Sequence, residues 1–249
     1  MKATPFEFRF RVAIIFLIYV LGFWAPWERY LRNPGAITTT WLELSGALAS
    51  AHWLSLNAAT ILITTLAILF SLKGTFFRLW GTAYLGTAVV HDKLMHASQV
   101  VAAGPYRYTR NPLYLGSLLF SVAISILMPP SGAVFFLVVQ SIFYLRLILG
   151  EEALLSTQQG ESYLAYKQRV PRFFPRLRPR VLASPARPQW LSSILAESYY
   201  IGFTACLAIL AWRYNADLLL KCVLICFGAS LVIRAFMPRK IDEKVSASD

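Results

Sequence analysis

Two apolar runs, Leu113 to Met128 and Ala133 to Leu149, are separated only by Pro129-Pro130-Ser131-Gly132. A connection that short forces the two helices to lie antiparallel as a hairpin. Their open ends then sit side by side, with axes ~8–10 Å apart. One end carries Tyr106, Arg110, Asn111, Pro112 and Tyr114, and the other carries Arg146, Glu151 and Glu152. Groups about forty positions apart in the chain thus become neighbours at the edge of an apolar pair.

The rest of the chain repeats this solvent preference. Hydrophobic residues make up 57% of it and charged residues 14%. Soluble domains are about 45–50% apolar and about 25% charged. Lipid therefore replaces water as the main solvent, and the expected fold is all-α, a multi-pass integral membrane protein of about 6–7 transmembrane helices. The first helix is expected over Val12 to Ala25. Trp24-Ala25-Pro26-Trp27 offers no small-residue cleavage site, so this reads as a retained helix and not a signal peptide. An interfacial connection, Pro26 to Trp53, leads to an uncharged helix at Leu54 to Leu72, which Lys73-Gly74 ends. The run Phe76 to Val90 spans only ~22 Å as a helix and carries Arg78, which suits a re-entrant or buried segment. His91 to Arg110 is polar and covers a site; Glu151 to Arg169 is polar and amphipathic; Ile194 to Trp212 and Leu218 to Phe236 form a second hairpin. The chain divides into N-terminal helices (1–75), a core (76–176), a basic Pro-rich linker (177–193) and a C-terminal hairpin with its tail (194–249).

Net charge is +12. The positive residues cluster in loops between apolar runs, so the positive-inside rule accounts for them without nucleic acid. Loops 91–112 and 150–193 are expected to be cytosolic, and the Pro129–Gly132 turn faces the other side. Residues 167–187 hold seven basic side chains and no acidic one. Prolines at 171, 175, 179, 185 and 188 forbid a long helix there, and the charge answers anionic headgroups. Cys206, Cys222 and Cys226 lie in apolar runs and read as packing residues. His91 and His96 are five apart, which does not put them on one helix face, and no metal site is expected.

The hairpin's open end gathers polar, aromatic and basic residue types. Asn111-Pro112 is a helix start, with Asn capping and Pro in the first turn. Such an end offers free N–H groups to a carboxylate. Arg107 and Arg110 read equally as snorkelling residues.

The stretch Gly104-Pro105-Tyr106-Arg107-Tyr108-Thr109-Arg110-Asn111-Pro112-Leu113-Tyr114-Leu115-Gly116, then Glu151-Glu152, then Gly160-Glu161-Ser162-Tyr163-Leu164-Ala165-Tyr166 through Pro171, resembles the isoprenylcysteine carboxyl methyltransferase family. The membrane phosphatidylethanolamine N-methyltransferases are related and share part of the pattern. The resemblance covers roughly residues 76–176 and implies an S-adenosylmethionine-dependent methyltransferase. It implies cofactor contacts at His91, at Ser98, Gln99, Val100 and Val101 in a strand-like segment, and at Tyr106. Asn111, Pro112, Leu113, Tyr114 and Glu151 complete that set. Arg146, beside the aligned Leu147, takes the place of an acceptor-binding arginine. Arg110 and Glu152 complete the catalytic group, Glu152 as a proton acceptor should the acceptor be an amine. Asn111 stands where prenylcysteine enzymes carry His and the phospholipid branch carries Asn. The implied acceptor is a prenylcysteine-like carboxylate entering laterally from the bilayer, with an aminophospholipid as the alternative. The implied location is the plasma membrane in a bacterium or the endoplasmic reticulum in a eukaryote.

Three other classes fit less of the sequence. A transporter carries ionisable residues within its spans, whereas the runs at 12–25, 54–72 and 113–128 carry none. A sterol-type reductase uses a similar Asn-Pro element with a nicotinamide cofactor but does not explain Glu151-Glu152 or Tyr163 and Tyr166. A non-catalytic scaffold explains none of these.

Overall fold

The computed structural model describes residues 2–24, 38–86, 102–213 and 216–236. Ten α-helices and one 3-10 turn occur among them, and no strand. In chain order the helices are α1 Pro5–Arg9, α2 Arg11–Trp24, α3 Thr40–Ser50, α4 Leu56–Leu85, α5 Pro112–Ser125, α6 Pro130–Gln159, α7 Glu161–Arg169, α8 Trp190–Ala196, α9 Ser198–Arg213 and α10 Ala216–Phe236. The 3-10 turn is Gly104–Arg107.

Where the sequence predicts a break at Lys73-Gly74, α4 runs straight through. Gly74 is there for a close crossing: a Cβ on it would lie 2.7 Å from the Gly116 carbonyl oxygen of α5. In lipid, helices gain nothing from hiding apolar surface, so small residues that let backbones approach do the packing. Ser55 caps the start of α4, accepting from the Ala58 N–H at 3.2 Å. Arg78 therefore lies on a 30-residue helix long enough to cross a membrane and not in a separate short piece.

The α5–α6 hairpin is present, with its turn shifted. α5 ends at Ser125 and Pro130 occupies the first turn of α6, where its missing N–H costs nothing. The start of α3 covers the freed carbonyls: Thr40 donates its N–H to the Met128 carbonyl at 2.8 Å, and Trp41 to that of Ile126 at 2.9 Å. At the other end α6 does not stop at Leu149 but continues to Gln159 and breaks at Gly160, where φ is 53°. Glu151 and Glu152 are thus interior helix residues and do not begin a separate segment.

Among the described residues two helices, α4 and α6, are long and apolar enough to cross a membrane, or three if the bent pair α8–α9 is counted as one. α2, α5 and part of α10 are shorter apolar helices. Exposed Val134, Val138 and Ile142 line one side of α6, and exposed Ile61, Leu62, Leu66, Leu69 and Leu72 line α4. Between them lies a core of Phe120, Phe136, Met128, Leu147, Phe203 and Leu207. The chain starts at the site end: Ala3 donates its N–H to the Arg146 carbonyl at 3.0 Å. From there α2 descends along α6.

The run Ile194–Trp212 is bent by 64° between α8 and α9. Glu197 sits at the bend, fully buried, and turns onto α4. Arg78 donates from Nε to Glu197 Oε2 at 2.6 Å and from Nη2 to Oε1 at 3.0 Å. The same guanidinium reaches Ser117 Oγ at 2.6 Å and stacks 4.1 Å from the Tyr200 ring centroid. Thr82 also donates to Glu197, at 2.7 Å. Glu197→Gln leaves the buried cation without its counter-charge, at a cost of about 3–5 kcal/mol. The expected outcome is a large drop in unfolding free energy in detergent, with partial recovery in the Arg78→Gln/Glu197→Gln double variant. A single variant that melts like the parent would mean the pair does not hold the C-terminal helices to α4.

Candidate functional site

The open end of the hairpin gathers its groups as the short turn requires. Tyr114, in the first turn of α5, donates from Oη to Glu151 Oε1 at 2.7 Å, across 37 positions of chain. The Tyr114 ring meets Tyr144 of α6 edge-on, with centroids 5.5 Å apart. Glu151 Oε2 accepts no hydrogen bond among the described residues. Pro112 and Leu113 pack on Gly81 of α4.

Glu152, one residue on, points about 100° away around the helix into a different set of partners. Arg110 donates to its Oε1 from Nε at 3.0 Å and approaches it with Nη2 at 2.9 Å. Arg172 donates to its Oε2 from Nη2 at 2.9 Å. Arg110 also donates from Nη1 to the Lys167 and Val170 carbonyls, so one guanidinium ties α6 to the end of α7. With both oxygens engaged by arginines, Glu152 serves as an anchor. Glu152, expected from the sequence as a proton acceptor, thus has two guanidiniums against its carboxylate.

Asn111 occupies the helix-start position but does not cap α5 with its side chain. Its Nδ2 donates instead to the Arg172 carbonyl at 3.1 Å and lies 3.5 Å from Glu152 Oε1. The backbone N–H groups of the first turn are thereby left without a side-chain cap.

Tyr106 is held above this group by the 3-10 turn. Gly104 opens the turn with φ 51°, and a Cβ on it would collide with the Tyr84 ring, so a side chain has no room. Tyr166 of α7 donates to the Tyr106 carbonyl at 2.8 Å. The Tyr106 ring is buried, yet its own hydroxyl makes no hydrogen bond among the described residues. Burial, with Tyr166 and Glu151 nearby, pushes that hydroxyl well above the ordinary tyrosine range, so it stays a donor. Tyr163, buried beside Tyr166, is raised to about 12, chiefly by burial.

Arg146 does not turn to this cluster. Its Nε and Nη2 hold the Glu7 carboxylate at 3.1 and 2.8 Å. That bond first, and then the Thr4 N–H, lowers Glu7 to about 2. His91, Ser98, Gln99, Val100 and Val101 lie outside the described residues. No group of three or more His, Cys, Asp or Glu suited to a metal occurs among the described residues. The sequence reading missed Arg172, which composition cannot tell from the other arginines of its run. It also missed Glu197, which sits in an apolar segment far from any motif.

Glu152→Gln should therefore act on stability more than on ligand binding. It removes the charge between two guanidiniums, one of them partly exposed, at a cost on the order of 3 kcal/mol. The measurement is a denaturation curve in detergent; an unshifted curve would show the carboxylate to be dispensable.

Residues 62–162 match the family described as Phospholipid methyltransferase. No curated protein and no solved structure matches the chain. The matched stretch supplies most of α4, all of α5 and α6, and the 3-10 turn between them, so the hairpin and its open end lie within the part of the chain similar to that family.

Proposed function

We propose that this chain transfers the methyl group of S-adenosylmethionine to a lipid-linked carboxylate at the membrane boundary. The observation that carries the reading is the pairing of two open polar ends in one place. The buried Tyr106 hydroxyl lacks a partner among the described residues. Glu151 is oriented by Tyr114 with one oxygen left to accept. These groups fit the donor: Glu151 would accept from its ribose or amino groups, Tyr106 would donate to it, and the Tyr114 ring would stabilise its positive charge. When bound, S-adenosylmethionine supplies an electrophilic methyl group, and transfer is an in-line displacement that positioning favours by up to ~7–11 kcal/mol.

The chain's own residues favour a carboxylate acceptor over an amine. A carboxylate attacks without losing a proton, so it needs no base. The carboxylate next to Glu151 is bound by Arg110 and Arg172 and is not free to take one. Arg110 and Glu152 then frame the site, and Arg146 fixes α1 against it.

We read α2, α5 and α10 as crossing the bilayer together with α4, α6 and α8–α9. That gives six passages among the described residues. The site end is the cytosolic one, where the Lys and Arg excess collects and where a water-soluble donor arrives.

Incubation of the reconstituted protein with methyl-labelled donor and either a prenylcysteine or phosphatidylethanolamine tests this. The expected product is a base-labile methyl ester on the prenylcysteine. A base-stable N-methyl lipid would move the protein to the phospholipid branch, and label in neither would end the reading.

Glu151→Gln should keep the fold and lose charge-assisted hydrogen bonds worth roughly 1.5–3 kcal/mol. Donor affinity then falls about 10- to 150-fold, read by equilibrium binding with a melting curve as control. Parental affinity in that variant would remove Glu151 from the site.

A further inference from the structure

The basic linker after α7 is not a random coil of charge. It repeats a dipeptide at a period of four, Pro171-Arg172, Pro175-Arg176 and Pro179-Arg180. The prolines forbid a helix, and the strap runs, with bends, along the segment that leads into α5. Its inner edge is knitted to that segment in antiparallel order. Arg110 donates its N–H to the Pro171 carbonyl at 2.9 Å, Arg176 to that of Tyr108 at 3.1 Å, Arg180 to that of Arg107 at 3.0 Å and Ser184 to that of Ala102 at 3.0 Å. Two side chains add to this: Thr109 donates to the Phe173 carbonyl at 2.9 Å and Arg107 to that of Val181 at 3.0 Å.

The outer edge is the unusual part. Phe174 is 85% exposed, Leu177 100% and Leu182 91%, and Arg176, Arg178 and Arg180 are exposed between them. Apolar side chains fully extended among arginines are poor surface for water but suit the headgroup boundary, where the apolar groups insert and the cations meet anionic lipid. The strap also sits at that level. Gln189, just past it, donates its N–H to the Ala83 carbonyl at 2.8 Å, two residues before the span α4 ends. No acidic residue occurs between Glu161 and Glu197, so the strap brings no counter-charge of its own.

We propose that residues 171–184 dock on the anionic headgroup layer of the protein's own bilayer, and that this docking strengthens donor binding by holding the 102–111 segment in place. The second half rests on the methyl-donor reading above. The ligand class is an anionic phospholipid surface; an acidic protein partner is the alternative outcome.

The test uses the full chain in nanodiscs of phosphatidylcholine alone or mixed with phosphatidylglycerol. Leu177→Trp, compared with the parent for background emission, reports insertion through quenching by bromine-bearing lipid chains. Each basic residue near an anionic surface contributes about fivefold to occupancy, so Arg176→Gln/Arg178→Gln/Arg180→Gln should shift docking on the order of 100-fold. The expected result is strong quenching with phosphatidylglycerol, lost in the triple variant and in high salt. Donor affinity should fall by about 5- to 150-fold on removing the anionic lipid, measured with labelled S-adenosylmethionine, and should be insensitive to lipid in the triple variant. Equal quenching in both compositions, or quenching indifferent to the three arginines, would overturn the docking and leave an acidic partner as the better fit. Lipid-dependent quenching with unchanged donor affinity would overturn the coupling. Should no composition bind the donor, the methyl-transfer reading fails and the coupling with it, while the quenching still decides the docking.

Discussion

One carboxylate ties the site together. Glu152, nearly inaccessible on α6, holds Arg110 from the loop before α5 and Arg172 from the strap after α7. Three segments far apart in the chain converge on its two oxygens. A buried ion pair of this kind contributes little net stability against an apolar replacement, but losing one partner is costly. Its value is in geometry. With Arg110 and Arg172 fixed, Asn111 is turned away from capping and toward the Arg172 carbonyl, and the residue before Glu152, Glu151, is left facing Tyr114 on a separate side of the helix.

The adjacency of Glu151 and Glu152 explains how one helix turn does two jobs. Successive residues diverge by about 100°, so two neighbouring glutamates cannot share a pocket. One is enclosed by arginines and the other accepts from Tyr114. The sequence marked both as a pair, and it is their divergence that gives them different partners.

The hairpin and its consequence were legible because a four-residue connection leaves no alternative geometry. The polar cluster at its open end followed from that alone. Other features were not legible, for stated reasons. Lys73-Gly74 looks like a terminator in one dimension; only the approach of Gly116 from another helix shows it to be a crossing point. Glu151 looked like a helix start because hydropathy falls there, yet backbone hydrogen bonding continues to Gln159 regardless of polarity. Arg146 was aligned with the site by spacing, but its partner Glu7 lies 139 positions away in a segment without a motif. Arg172 belonged to a run in which every arginine looks alike, and only the fold singles it out.

The same limit applies to the C-terminal helices, for which sequence offered no role. Charged groups at membrane depth persist when they are paired. Arg78 lies within the stretch matched to the methyltransferases, and its carboxylate partner, Glu197, lies outside it. Around that pair, Ser193 donates to the Leu79 carbonyl at 2.6 Å, and Thr204 shares hydroxyl contacts with Ser71 and Thr75. These polar contacts run down one face of α4 with the spacing of helix turns. The helices that bring Glu197 thus satisfy a charge that the matched stretch carries into the bundle. The bend at Glu197 is the local cost of bringing that carboxylate to bear on α4. By this argument the C-terminal hairpin is no appendage to the site-bearing core, because without it Arg78 would be a buried cation with no opposite charge.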